Sequence, residues 1–152
     1  MRERIVEAAH GLFRHYGHAK ATVADIAEAC GVSTANVYRF FGSKSEINDT
    51  ICALVLSRLV EDLDAIATAA APAASRLAQM AERVALFNRQ SARSDGRIHE
   101  MLIAAVVEDW DAIRQFFREV QLHFAAVVAD GIATGEFAAG RSEEHTSELQ
   151  SH

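Results

Sequence analysis

Residues 31–44 of the chain read GVSTANVYRFFGSK, and this stretch decides how the first part of the protein folds. A glycine and a serine stand near each end of it, and Arg39 and Lys44 lie beside its aromatic residues. No acidic residue occurs between positions 29 and 45, although the whole chain carries 21 acidic and 15 basic side chains. An acidic protein that keeps one basic, acid-free segment has a local surface suited to an anionic partner.

Length and charge limit where such a partner could bind. The 152 residues, half of them hydrophobic, suffice for one domain or for a small domain with a second helical layer. Residues 1–50 hold six basic and six acidic side chains, so the net charge of −6 lies entirely in residues 51–152. We therefore expect any nucleic-acid surface in the first fifty residues. No apolar run is long enough for a bilayer and no signal-peptide pattern opens the chain, which predicts a cytoplasmic protein.

Apolar residues recur at helical spacing along the chain, and no segment shows the sustained alternation of a strand, so the pattern predicts an all-α fold. In the first four helices the predicted inward-facing residues are Ile5, Ala9, Leu12, Phe13 and Tyr16; Val23, Ile26, Ala27 and Cys30; Val37 and Phe41; and Ile47, Ile51, Leu54, Val55, Leu59, Leu63 and Ile66. In three further helices they are Leu77, Met80, Ala81, Val84 and Phe87; Ile98, Met101, Leu102, Ala105 and Val106; and Ile113, Phe116, Phe117, Val120, Phe124, Val127 and Val128.

Short polar motifs indicate where these helices begin and end. Thr22 and Ser43 each stand three residues before a carboxylate, as in the capping box that closes the free N–H groups of a helix start. Ser33 is placed to cap a short third helix. Gly31 is expected to end the second helix, and Pro72, the only proline, to break the fourth.

Two short helices joined by a tight turn at residues 31–33 match the helix-turn-helix layout, in which the second helix reads DNA. Small polar residues at its start let the backbone enter the major groove, where asparagine can pair with adenine, and basic or hydroxyl side chains suit phosphates. The candidate DNA-binding residues are Thr22, Ser33, Thr34, Ala35, Asn36, Tyr38, Arg39 and Lys44. An ordinary turn between packed helices, with solvated Arg39 and Lys44, is the alternative interpretation.

The segment from Ile5 to Ile47 resembles the DNA-binding domain of the tetracycline-repressor (TetR) family of bacterial transcriptional regulators. The matching residues are Phe13, Gly17, Thr22-Val-Ala-Asp25-Ile26-Ala27, Gly31-Val32-Ser33 and Val37-Tyr38-x-x-Phe41-x-Ser43-Lys44. The resemblance implies that Tyr38 and Lys44 hold phosphates, that Thr22 anchors the second helix and that the third helix reads bases. Phe40 departs from the commoner pattern, which has a histidine that can hydrogen-bond to DNA.

The resemblance also implies a rear half that binds a small-molecule inducer and forms the homodimer that reads a palindromic operator in double-stranded DNA. We expect a helix-turn-helix domain at residues 1–46 and an incomplete ligand-binding and dimerisation domain at 47–140. The candidate ligand-binding residues are Phe87, Met101, Trp110, Phe116, Phe117 and His123, with Phe124 beside them. For each of these side chains, plain core packing is the alternative.

The last twelve residues, RSEEHTSELQSH at 141–152, differ from the apolar chain before them. The string resembles the conceptual translation of a sequencing adapter, so we expect it to be non-native; a disordered polar terminus is the alternative. Gly135-Glu136-Phe137 resembles the end of the seventh helix in TetR-like proteins, where further helices usually form most of the dimer interface. The expectation is therefore a truncated regulator that dimerises weakly and exposes apolar surface.

Other function classes find little support in the sequence. No metal-binding spacing such as HExxH and no glycine-rich phosphate loop occurs, so we predict no enzyme, no metal site and no cofactor. Cys30 and Cys52 are predicted to be free, buried thiols. The predicted function is a DNA-binding regulator, a repressor released by a ligand. A helical adaptor that binds a protein partner without DNA is the alternative, although it has no use for the acid-free segment.

Overall fold

The computed structural model describes residues 1–138, and within that range the chain forms seven helices and no strand, which confirms the predicted all-α fold. The helices are α1 (Arg2–Tyr16), α2 (Val23–Cys30), α3 (Thr34–Tyr38), α4 (Lys44–Ala67), α5 (Ala73–Ser94), α6 (Gly96–Val107) and α7 (Asp111–Ala133). None of these helices is long and apolar enough to cross a membrane. The tail predicted at 141–152 lies outside the described residues.

Local caps and one left-handed glycine shape the helix-turn-helix segment. Thr22 Oγ1 accepts the backbone N–H of Asp25, and the Asp25 carboxylate accepts the backbone N–H of Thr22, which completes the predicted capping box. Gly31 ends α2 with a φ of 65°, a left-handed conformation that glycine adopts without steric cost. Ser33 Oγ then accepts the N–H of Asn36 and starts α3. These contacts leave only residues 31–33 between the two helices.

The start of α4 differs from the predicted capping box in one contact. Ser43 Oγ accepts the Glu46 backbone N–H at 3.1 Å, as predicted. The Glu46 carboxylate, however, accepts the N–H of Gly42 at 2.7 Å instead of the N–H of Ser43. The carboxylate therefore binds the residue before the Ser43 cap.

The buried side of α4 turns around the helix along its length, so the single predicted stripe is partly wrong. Leu54 is 47% exposed, whereas Cys52 and Leu56, both outside the predicted stripe, are buried. Ile47 packs in a core that includes α1, whereas Leu59 packs with residues of α5 and α7. Because different helices cover the two ends of α4 from different directions, no one face of it is buried throughout.

Two clusters of buried side chains hold the helices together. The first joins α1, α2, α3 and the first half of α4 to α6 and the start of α7, so that Ile5 and Phe13 share a core with Ile98 and Ile113. The second comprises Leu59, Leu63, Ala73, Met80 and Val127. Phe116 of α7 packs against both clusters. The helix-turn-helix segment therefore shares one buried core with α6 and the start of α7.

Residues at the borders of other predicted apolar stripes also lie on the surface. The structure exposes Tyr16, Ala81, Val106, Phe117 and Val128, all of which the helical spacing predicts to face inward. Periodicity identifies the side of a helix that is apolar, but the neighbouring helices decide how wide a strip of it they cover. For these five residues the prediction of burial is wrong.

The chain that follows α7 folds back onto the start of α5. The two carboxylate oxygens of Glu136 accept the backbone N–H groups of Ala73 and Ala74, at 2.6 and 2.8 Å. Pro72, the residue before the helix, has no side-chain group for this purpose, so Glu136 closes the start of α5. The ring of Phe137 lies against Gly131, where a side chain would collide with it.

We expect Gly131→Ala to destabilise the protein by about 1–3 kcal/mol, because its methyl group would overlap the Phe137 ring and lie 2.9 Å from the Ala73 side chain. Gly11→Ala is the matched control, since Gly11 lies inside α1 with open space around its Cβ position. There the higher helix propensity of alanine should stabilise the protein by about 0.5–1 kcal/mol. Urea unfolding followed by circular dichroism measures both changes, and effects of the same sign would contradict the packing described here.

Candidate nucleic-acid interface

Buried residues anchor α3 and leave its first turn open to solvent. Val37 and Phe41 are 0% and 1% exposed and belong to the first core. Residues 33–35 are exposed and Asn36 is half-buried. The structure therefore brings the four small or polar candidate residues together at the start of one short helix. Their size leaves the backbone accessible to a large partner surface.

Tyr38, Arg39 and Lys44 lie just beyond this first turn. The Tyr38 residue is 51% exposed, and Arg39 is exposed as well. Lys44 is half-buried, and its Nζ donates to the carbonyl oxygen of Ala19, 3.5 Å away in the turn between α1 and α2. An ammonium group has three N–H donors, so this contact orients Lys44 and leaves donors for an anion.

Thr22 uses its side chain within the protein. Its hydroxyl donates to Asp25 Oδ2 at 2.7 Å and accepts the Asp25 backbone N–H. The hydrogen bonds from Thr22 lower the pKa of Asp25, so this carboxylate stays ionised at the start of α2. A negative charge therefore occupies the helix start where an anion would otherwise meet free N–H groups. The geometry gives Thr22 an anchoring position rather than a free donor.

Two arginines of α1, outside the predicted set, also brace this surface. Arg4 Nη2 donates to the carbonyl oxygen of Cys30 at 3.0 Å and so contacts the end of α2. The Arg2 guanidinium lies 4.4 Å from the centre of the Phe41 ring, a cation–π distance. Because both partners are far away along the chain, nothing in the local sequence pattern signals these contacts.

His18, in the turn between α1 and α2, connects this surface to the rear half. Its ring meets the ring of Trp110 edge to face, with 5.7 Å between their centres, and lies 6.4 Å from the ring of Phe13. Burial lowers the pKa of His18, and the nearby Lys44 ammonium lowers it further. His18 therefore stays neutral to a lower pH than a free histidine does.

Three of the six candidate ligand-binding residues line surface depressions, and each lines a different one. Trp110 lies in a depression of about 530 Å³ between the start of α4 and the turn from α6 to α7. Phe116 lies in a groove of about 300 Å³ between α4 and α7, and His123 in a second groove of about 430 Å³ between the same helices. Val60 and Glu61 line both grooves, so the two adjoin each other.

The other three candidates occupy different surroundings. Met101 is fully buried in the first core, and Phe87 is half-buried against both cores. Phe117 is 53% exposed, with its ring 5.5 Å from that of Phe116. Phe124 packs against the second core. The structure thus brings Phe116, Phe117 and His123 onto one helix near the grooves and does not gather all six residues around one cavity.

The metal-binding side chains and the cysteines of the described residues form no evident reactive centre. Within residues 1–138, no group of three or more His, Cys, Asp or Glu side chains is arranged to hold a metal ion. Cys30 and Cys52 are free and buried, as predicted. Burial, with the nearby Asp49 carboxylate, raises the pKa of Cys52 to about 12, so this thiol stays protonated at neutral pH. A protonated, buried thiol is a packing group and not a nucleophile.

An all-α chain with an exposed, anchored α3 belongs to the class of helix-turn-helix proteins. Two family models match it: "Bacterial regulatory proteins, tetR family" over residues 5–49, and "Tetracyclin repressor-like, C-terminal domain" over residues 73–149. The chain therefore belongs to the TetR family of transcriptional regulators. A comparison with curated proteins found no match.

Solved structures of TetR-family regulators share this fold. PfmR from Thermus thermophilus is 25% identical, with a TM-score of 0.62 over 91% of this chain and 75% of that one. FadR from Thermus thermophilus, in complex with lauroyl-CoA, is 22% identical, with a TM-score of 0.66 over 93% and 73%. FadR from Bacillus subtilis, in complex with stearoyl-CoA, is 19% identical, with a TM-score of 0.64 over 93% and 76%.

We expect the free energy of unfolding to decrease as the pH falls from about 7 to about 5.5, across the ordinary histidine pKa. Burial lowers the pKa of both His18 and His10 in the folded protein, so the unfolded chain takes up protons first. The two histidines contribute fully to stability above the pKa that they have in the unfolded chain. This contribution is lost as the pH falls below that pKa. His18→Gln should weaken this pH dependence, and His10→Gln should weaken it further. Urea unfolding at both pH values measures it, and an unchanged dependence in the double variant would contradict this account.

Proposed function

We propose that this protein is a sequence-specific DNA-binding regulator that represses transcription until a small-molecule ligand releases it. The observation that supports the proposal best is the geometry of α3, which the buried Val37 and Phe41 hold while residues 33–35 remain exposed. A short helix that is fixed from behind and small at its exposed end is suited to the major groove. Membership of the TetR family supports the same function.

Base recognition in this proposal belongs to the first turn of α3. The Asn36 amide can donate to and accept from adenine, and the methyl groups of Thr34 and Ala35 can contact the methyl group of thymine. Ser33 adds a hydroxyl, which already accepts the Asn36 backbone N–H and keeps its own proton to donate. These four residues would determine which sequence is preferred.

Phosphate binding in this proposal belongs to Tyr38, Arg39 and Lys44. The exposed Tyr38 hydroxyl and Arg39 guanidinium can each donate to a phosphate oxygen, and the contact with Ala19 holds Lys44 beside them. Thr22 would act indirectly, because its hydroxyl is engaged with Asp25 and anchors α2. These contacts would supply affinity and set the register of α3 without reading the sequence.

The operator is proposed to be a palindrome in duplex DNA, read by a homodimer in the cytoplasm. A single α3 of five residues can contact only a few base pairs, so a long, specific site needs two copies of it. The two α3 helices must then be spaced by about one helical turn of DNA, near 34 Å, or a multiple of it. The spacing depends on how firmly each helix-turn-helix segment is held to its rear half.

The ligand is proposed to bind in the rear half, in the adjoining grooves between α4 and α7. Phe116 lines one of these grooves and His123 lines the other. Leu56 and Val60 line the first groove together with Glu61 and Glu119, and such a mixed lining suits a largely apolar molecule with a polar end. Phe87, Met101, Trp110 and Phe117 line neither groove, so they would affect binding only indirectly. Two FadR structures contain lauroyl-CoA and stearoyl-CoA, so these molecules are the first probes to test.

We expect Tyr38→Phe and Lys44→Ala to weaken binding to every DNA sequence alike, because both remove a phosphate contact. Lys44→Ala should also reduce the slope of log K against log salt by about 0.9, the value for one phosphate contact. Arg93→Ala is the control, since Arg93 is an exposed basic residue on α5 in the rear half. Fluorescence anisotropy with labelled duplex DNA at several salt concentrations measures these effects. An equal loss in Arg93→Ala, or salt-independent binding of the unchanged protein, would contradict the proposed surface.

Asn36→Ala is expected to change the preferred sequence rather than the overall affinity. The loss of a bidentate contact with adenine should reduce discrimination at one base position by about 1–3 kcal/mol. Selection from random duplexes, followed by sequencing of the bound pool, compares the variant with the unchanged protein. Tyr38→Phe provides the control, because it should keep the same preferred sequence. A preference that Asn36→Ala leaves intact would remove this residue from the reading set.

A further inference from the structure

The start of α7 takes its cap from a distant helix. Trp110 precedes the helix and provides no side-chain cap, since an indole has no acceptor. The backbone N–H of Ala112 instead donates to Asp49 Oδ1 of α4, at 2.9 Å. Asp49 is half-buried and follows Lys44 by little more than one turn of α4. One carboxylate thereby links the helix that begins beside the proposed DNA surface to the first turn of α7.

A second contact reaches the same point from the turn between α1 and α2. The ring of His18 packs edge to face on the ring of Trp110, and the carbonyl oxygen of the next residue, Ala19, accepts from Lys44. Two adjacent residues of this turn therefore contact Lys44 and Trp110, the residue just before α7. The start of α7 is held from α4 and from the α1–α2 turn.

Trp110 is fixed to α6 as well. Its backbone N–H donates to the carbonyl oxygen of Ala105 at 2.9 Å, and its indole N–H donates to Glu108 Oε2 at 2.8 Å. Asp109, between the two helices, adopts a φ of 55°, which turns the chain sharply from α6 into α7. The carbonyl oxygen of Trp110 also accepts the N–H of Arg114 in α7, at 3.1 Å, so a shift of α7 would pull on Trp110, which carries the contact with His18.

Another polar link between the two halves is more exposed. Arg14 Nε donates to Asp95 Oδ2 at 2.6 Å, but the Arg14 side chain is 60% exposed. Ion pairs in that setting are screened by water and salt. The bond from Asp49 is less exposed and also joins a carboxylate to the positive end of the α7 helix dipole. It joins α4 directly to the first turn of α7.

We infer that Asp49 is a positioning residue, which caps α7 from α4 and thereby sets the orientation of the helix-turn-helix segment relative to the rear half. The consequence for DNA rests on the proposed function: a ligand between α4 and α7 would act on DNA binding by straining or releasing this bond. The grooves that hold Phe116 and His123 lie between the same two helices, and Ala112 itself lines the first of them.

The orientation can be measured directly in the full chain with a pair of spin labels. Ala24→Cys in α2 and Ala78→Cys in α5 place labels at accessible positions in the two halves. Cys30 and Cys52 are buried, so they should react little with the label. Double electron–electron resonance then gives the distribution of distances between the labels, and circular dichroism gives the helix content of each variant.

We expect Asp49→Ala to broaden this distribution at unchanged helix content, and Asp49→Asn to keep it narrow, because the amide oxygen can still accept the Ala112 N–H. Amide exchange at Ala112 should be about fivefold faster in the alanine variant, equivalent to about 1 kcal/mol, the usual value of a helix cap. Glu7→Ala, which removes an exposed carboxylate from α1, is the control and should change neither quantity.

A distribution in Asp49→Ala as narrow as that of the unchanged protein would overturn the inference. If the alanine variant loses helix content, Asp49→Leu in the same labelled protein decides, since it removes the acceptor and keeps a side chain of similar size: a broader distribution supports the inference, and an unchanged one overturns it. DNA binding is measured separately by anisotropy. A broadened distribution in a protein that never binds DNA would contradict the proposed function and leave the role of Asp49 intact.

Discussion

Every helix begins with backbone N–H groups that have no partner inside the helix, and closing them is the constraint on which this structure depends. Four helix starts are closed by nearby side chains, those of Thr22, Ser33, Ser43 and Asp95. The starts of α5 and α7 are closed from far along the chain, by Glu136 and Asp49. The local caps give the helices their boundaries. The distant caps add contacts between helices: Glu136 joins the chain after α7 to α5, and Asp49 joins α4 to α7.

The first buried core also joins the helix-turn-helix segment to the rear half, through apolar contacts. The helix-turn-helix segment buries its inner faces against α6 and the start of α7. This packing limits how far the segment can rotate relative to the rear half. Close-packed interiors transmit small displacements instead of absorbing them. A molecule that separates α4 from α7 would therefore disturb the packing behind α3. The proposed control of DNA binding by a ligand would therefore need no contact between ligand and DNA.

The position of charge complements this arrangement. The proposed reading surface has basic and small polar side chains on an acid-free segment, while the excess of acidic residues lies in the rear half. Two carboxylates that flank the surface, those of Asp25 and Glu46, are held by hydrogen bonds to the backbone N–H groups of Thr22 and Gly42. Negative charge at these two positions therefore serves the fold. Arg39 is exposed, and Lys44 is half-buried and contacts Ala19. These two side chains would supply the attraction to phosphate.

The sequence by itself determined the all-α class, the caps at Thr22, Ser33 and Ser43 and the end of α2 at Gly31, because each depends on residues within a few positions of one another. The helical spacing also identified Val37 and Phe41 as the inward side of α3, and distant helices complete their burial. Only the tertiary structure decided which border residues are covered: it exposes Leu54 and Phe117 and spreads the candidate ligand residues over separate depressions. It alone also shows that Asp49 caps α7 and that His18 packs on Trp110. The physical reason is that local spacing fixes the periodicity and the caps of a helix, whereas contacts between distant residues depend on how whole helices cross.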